Sequence, residues 1–124
     1  MRLDSSMSSA AQSYAQQLAN SGTMNLVHSG VDGENLFVWC DSNGGGGDKA
    51  TDDWYNEISQ YNFGYPGFTG ATGHFTQVVW KASTLLGIGK ATGYVDGLPC
   101  EFVAGRYSPP GNMQGQFPAN VKRN

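Results

Sequence analysis

Cysteine, net charge and long apolar runs are all scarce in this 124-residue chain. Two cysteines, Cys40 and Cys100, are too few for a disulfide framework, and no Asn-x-Ser/Thr sequon occurs, so secretion is neither required nor excluded. Seven Lys and Arg against ten Asp and Glu leave a net charge of −3, with no run of like charges. That balance disfavours a nucleic-acid groove and a polybasic membrane patch. No apolar stretch approaches the roughly 18 residues of a membrane span; runs such as Leu36–Cys40 and Val78–Trp80 are far shorter. Met1-Arg2-Leu3-Asp4-Ser5 offers no apolar signal core and no Met-Gly acylation start. What the chain does have is enough apolar residue, 39% before its 18 glycines are counted, to build one ordered domain over residues 1–124.

Leu3, Met7, Ala10/Ala11, Tyr14 and Leu18 recur at steps of three and four, behind a cap at Asp4 or Ser5 and ahead of Gly22. This spacing predicts a helix over 5–20 with one buried stripe. Residues 21–33 form a loop that carries His28. Glu34–Cys40 is short, aromatic and β-branched and predicts a buried strand. Gly44–Gly47 lacks the Lys-Ser/Thr ending of a phosphate loop and reads as a flexible surface loop. From Asp48, the spacing of Ala50, Trp54, Ile58 and Tyr61 predicts a second helix over 49–61, with Glu57 at the border of its buried face. His74–Trp80 could begin a short helix or a strand. Leu86–Ala91 and Glu101–Tyr107, joined through Asp96-Gly97, predict an antiparallel hairpin.

The chain has two histidines, His28 and His74, each in a Gly-flanked loop with a carboxylate within sequence reach, Glu34 or Glu57. Such a set can bind a divalent ion through neutral imidazole nitrogens, with the carboxylates as further ligands or as acceptors that fix the ring tautomers. It could equally shuttle protons. The separation of the histidines is not a zinc-motif spacing, so spacing alone gives no sign that they meet.

Gly73-His74-Phe75-Thr76-Gln77-Val78-Val79-Trp80 resembles the first signature of the CAP superfamily, the cysteine-rich secretory, antigen-five and pathogenesis-related proteins. Phe102–Met113 is similar to its second signature, and Gly33-Glu34-Asn35-Leu36 to its Gly-Glu-Asn motif. The likeness extends through Trp54–Ile58 and Tyr61–Phe68 and is nearest to the Golgi-associated plant pathogenesis-related branch. It implies an α+β fold, a three-layer α-β-α sandwich with a central antiparallel sheet. It also implies a cavity in which His28, Glu34, Glu57 and His74 bind zinc or a related divalent ion. Tyr107 and Gly111-Asn112 are expected to be structural, and the stretch Tyr61–Phe68 is similar to a loop implicated in lipid or sterol contact.

Two departures accompany the resemblance. Gly105 stands where the second signature usually carries a cysteine, so the disulfide set of secreted members is missing, with no obvious replacement in Cys40 and Cys100. An intracellular, Golgi- or membrane-associated location is the resulting expectation, with the extracellular one as the superfamily alternative. The family's first helix is also lacking ahead of residue 5, which predicts an exposed apolar patch and a homodimer or segment-exchanged oligomer.

The function expected is therefore a binding module: a divalent cation in the cavity, and a lipid or sterol in an adjacent groove with peripheral membrane contact. Anionic lipid would need a local cationic patch, either Lys81, Lys90 and Arg106 or the Lys122-Arg123 tail. One alternative is hydrolysis, with Glu34 or Glu57 as general base to a metal-activated water, or Cys40, Ser29 or Thr76 as a hydroxyl or thiol beside a histidine. Another is a rigid scaffold presenting the loop Asp41–Lys49 to a protein partner.

Overall fold

The computed structural model describes residues 1–123 and opens with a two-residue strand, β1 (Arg2–Leu3). Asp4 then caps helix α1 (Ser5–Asn20), its carboxylate accepting the Met7 N–H at 2.9 Å. Strand β2 (Glu34–Cys40) follows the long loop, and helices α2 (Ala50–Asn56) and α3 (Gly73–Val79) precede the hairpin of β3 (Leu85–Val95) and β4 (Leu98–Ser108). A short helix, α4 (Phe117–Asn120), closes the chain. The second helix is shorter than its predicted span: its last turn, Glu57–Gln60, tightens to 3-10 geometry before Tyr61 turns extended. Both hairpin strands are longer than predicted; in β3 the apolar alternation that marks a strand is broken past Ala91 by Gly93. Their turn is the predicted Asp96-Gly97, with both residues at positive φ (51° and 80°), as a two-residue hairpin requires.

The strands form one sheet in the order β1-β3-β4-β2, antiparallel except for the β1–β3 pair. On one face, Ala11, Ala15, Leu18 and Ala19 of α1 pack against Leu36, Ala91, Phe102 and Ala104. On the other, Ala50 and Trp54 of α2 cover Phe37 and Val103. A second aromatic cluster, Tyr61, Phe75, Trp80 and Phe117, ties the second helical layer to the C-terminal segment. The result is the three-layer α-β-α sandwich.

The buried stripe of α1 is composed of small residues, and the reason lies in β3. A Cβ at Gly89 would stand 2.3 Å from the Gln12 nitrogen, and one at Gly93 would stand 2.4 Å from the Ala19 oxygen. The helix backbone thus rests directly on glycine positions of β3, and small residues of α1, Ala11 and Ala19, stand at these close approaches.

Cys40 and Cys100 face each other in the β2–β4 register and are joined in a disulfide. Sequence alone offers no obvious replacement for the family's disulfide set in these two residues and leaves their redox state open; the antiparallel register running from Glu34↔Arg106 to Cys40↔Cys100 is what brings them together.

Candidate functional site

Glu34 is the first residue of β2, and its side chain is 1% exposed. Gly33 turns the chain into the strand at φ 72°, where an added Cβ would strike the Tyr107 carbonyl at 2.6 Å. All the accepting capacity of the Glu34 carboxylate is engaged. Oε1 accepts the Ser29 N–H at 3.0 Å and meets His28 Nδ1 at 3.0 Å. Oε2 accepts from Ser29 Oγ at 2.7 Å and from Arg106 Nε at 3.2 Å. Burial alone would raise the pKa of this carboxyl group, but the Ser29 bonds, the His28 bond and the Arg106 charge outweigh it and hold the group below its ordinary value. A lowered folded-state pKa stabilises the fold above the ordinary glutamate value of 4.5, and the contribution is lost as pH falls through the folded pKa. Urea unfolding across the acid range is therefore expected to steepen below about pH 4.5 in the wild type and to flatten there in Glu34→Gln.

A parallel pair lies on the helical side. Glu57 begins the 3-10 turn after α2, and its Oε2 meets His74 Nδ1 at 2.8 Å while Oε1 accepts the Phe75 N–H at 2.9 Å. The His74 ring stacks on Trp54 at 6.1 Å, and the Trp54 indole donates to the Leu36 carbonyl at 3.1 Å. In both pairs a carboxylate takes Nδ1 and leaves Nε2 without a hydrogen bond among the described residues. A carboxylate on Nδ1 fixes the orientation of each ring.

His28, Glu34 and His74 line one cavity of about 180 Å³, with Asn35, Phe68 and Asn112 completing its wall. Glu57 stands behind His74 rather than in the wall. Asn35 donates to the His74 carbonyl at 3.1 Å and so anchors α3 to β2. Asn112, at φ 59°, donates to the Gly73 carbonyl at 3.0 Å and accepts from Thr76 at 2.5 Å. Tyr107 supports the cavity from behind: burial pushes its phenol up to about 12, against the opposing bond from Asn35, so it stays neutral. Among the described residues no group of three or more His, Cys, Asp or Glu stands close enough to hold a metal ion.

The nucleophile candidates fare differently. Cys40 has no thiol, because its sulfur is bonded to Cys100, and this removes it from the catalytic candidates. Ser29 Oγ bonds Glu34 and Arg106, and Thr76 Oγ1 bonds Asn112 and the Gly73 carbonyl, so neither hydroxyl touches a histidine. The role of Arg106 as the partner of Glu34 is not visible from spacing. Only the strand register, which sets these two residues opposite each other, discloses it.

Of the cationic residues considered for a lipid patch, Lys90 is paired with Glu101 at 3.6 Å and Arg106 with Glu34. Lys81, Lys122 and Arg123 instead border one groove of about 250 Å³ over Ile58, Phe75 and Val79. In the aromatic stretch, Tyr61 is buried in the core, whereas Tyr65 and Phe68 are 84% and 61% exposed.

The profile of the CAP, cysteine-rich secretory protein family matches residues 1–107. The human Golgi-associated plant pathogenesis-related protein 1 is 43% identical over 128 residues, covering 98% of this chain and 79% of that protein. Among solved structures, BmVAL-1 superposes with a TM-score of 0.68 at 24% identity, over 90% of this chain and 59% of that one. NaASP2, solved with Zn2+, gives 0.61 at 23% identity, over 93% of this chain and 63% of that one. These two likenesses concern the fold, and this chain spans about three-fifths of each of the two.

Proposed function

Because the chain belongs to the CAP, cysteine-rich secretory protein family, we propose that it is a binding module whose cavity takes a divalent cation, zinc foremost, between Nε2 of His28 and Nε2 of His74. The observation that carries this reading is the pair of matched His–Glu units, each presenting its imidazole to the same cavity with Nδ1 already committed. Both oxygens of Glu34 and of Glu57 are engaged, so the carboxylates orient the rings rather than ligate. The residues fit a metal as two imidazole donors with carboxylates behind them, leaving the remaining coordination to water or to a ligand's own oxygen. A bound ion supplies a positive centre for such an oxygen. That a fold neighbour was solved with Zn2+ agrees with the reading. No contact in the site favours hydrolysis.

Calorimetric titration with zinc at pH 7.5 tests it, since imidazole ligates a metal in its neutral form. One site per chain in the wild type, lost in His28→Ala/His74→Ala, is expected. A folded wild type that binds no zinc, or a double variant that binds it unchanged, refutes the proposal.

A second reading rests on the groove of Lys81, Lys122 and Arg123, where three of the chain's seven cationic residues border an apolar floor. This suits the headgroup and chain of an anionic lipid, with a sterol as the uncharged alternative occupant. Flotation with phosphatidylserine-containing vesicles should retain the wild type and lose Lys81→Glu/Lys122→Glu, while Lys49→Glu behaves as wild type. Equal retention of all three proteins removes this reading. As to compartment, the Cys40–Cys100 bond weakens the low-cysteine argument for an intracellular location and suits an oxidising one.

A further inference from the structure

We propose that Arg106 is a positioning residue for the His28 half of the site: by holding Oε2 of Glu34 it turns Oε1 to Nδ1 of His28, which fixes that ring and its Nδ1–H tautomer and leaves Nε2 as the lone-pair atom. The two imidazoles that face the cavity are held by different means. His74 sits in a helix, stacks on Trp54, and is 35% exposed. His28 sits in a loop, is 57% exposed, and has no ring stacked on it among the described residues. Its orientation therefore depends on the carboxylate beneath it.

That carboxylate is oriented from the side opposite His28. Arg106 lies across from Glu34 in the strand register and donates Nε to Oε2 at 3.2 Å. Its Nη2 donates to Ser29 Oγ at 3.2 Å, and Ser29 in turn donates Oγ–H to Oε2 and N–H to Oε1. With Oε2 taken twice, Oε1 is the only oxygen left for the ring. The guanidinium also lies 5.6 Å from the centre of the Tyr14 ring, and the Tyr14 hydroxyl donates to the carbonyl of Val27, the residue before His28. One planar cation thus joins α1, β4, β2 and the histidine loop, a task for a fork of fixed geometry rather than for a point charge. Among the described residues Glu57 has no ion pair with lysine or arginine, so His74 serves as an internal control.

The inference rests on the metal reading for its purpose, but its test requires no metal. Ring-nitrogen NMR shifts of the 15N-labelled, metal-free protein report each histidine's tautomer. In the wild type both rings are expected as Nδ1–H. In Arg106→Met the His28 signals should move toward a mixture with Nε2–H while His74 stays in place, and Arg106→Lys should restore them in part. Ser29→Ala, which removes one hydroxyl bridge and leaves the arginine, should produce a smaller shift of the same sign and serves if Arg106→Met does not fold. His28 unchanged in a folded Arg106→Met, or in Ser29→Ala where that variant alone folds, overturns the inference. So do both histidines shifting together, which would indicate general loosening. Zinc affinity should fall roughly 10- to 100-fold in Arg106→Met, as for loss of an outer partner of a ligand. A His28 shift in a protein that binds no zinc would defeat the metal reading alone, and zinc binding with the tautomer unmoved would defeat this inference alone.

Discussion

Replacement of the disulfide by Cys40→Ala/Cys100→Ala is expected to lower the melting temperature by roughly 15 °C. The bond closes a loop across 60 residues of sequence, and the chain-entropy cost it removes from the unfolded state is about 4 kcal/mol. For a chain of this size each kcal/mol corresponds to about 4 °C. The location adds to the expectation. β2 is an edge strand, and the bond fastens its end to β4 immediately before the Gly44–Gly47 loop. Glu34 and Asn35 lie at the opposite end of the same strand, so zinc binding at low temperature should survive the substitution. Scanning calorimetry of the oxidised wild type and the double variant decides the matter. A shift of less than a few degrees, or two titratable thiols in the native protein, would mean that the bond contributes nothing.

Gly89→Val is expected to destabilise the fold by about 3 kcal/mol or more, at the upper end for overpacking. The added side chain would meet the backbone of Gln12 and Ala11, not the movable end of a side chain, so the whole of α1 must lift. Lifting α1 would also separate Ala11 and Ala15, both fully buried, from Phe102 and Ala104, and Tyr14 from Arg106. Gly67→Ala is the control, since nothing stands within 4 Å of a Cβ there. Equal midpoints in urea for the two variants would show that α1 does not rest on β3 as described.

How far each part of this fold could be read in the sequence depended on whether its signal was local. Helix α1 was legible to the residue, because Asp4 and the three-and-four spacing act within one element. The hairpin was legible in its core and turn but not in its length: past Ala91, Gly93 removes the apolar alternation while serving the packing of α1. The pairing of Cys40 with Cys100 depended on the register between strands distant in sequence, and so did that of Glu34 with Arg106. Glu57 at the border of a buried face followed from helical geometry, and its bond to His74 needed the path of the intervening loop. The four residues of the expected metal set were candidates by residue type, but that they converge followed only from resemblance. What the structure adds is their division into two ring-and-carboxylate pairs, with both oxygens of each carboxylate engaged.

That division yields a claim about which atoms touch a metal, and X-ray absorption at the zinc edge of the zinc-loaded protein addresses it directly. Two imidazole nitrogens per zinc, with oxygen from water or added ligand as the remaining donors, is the result predicted here, and both imidazole signals should vanish in His28→Ala/His74→Ala. A shell of carboxylate oxygens with one imidazole or none would contradict it, because it would require Glu34 or Glu57 to abandon the hydrogen bonds on which this account of the site rests.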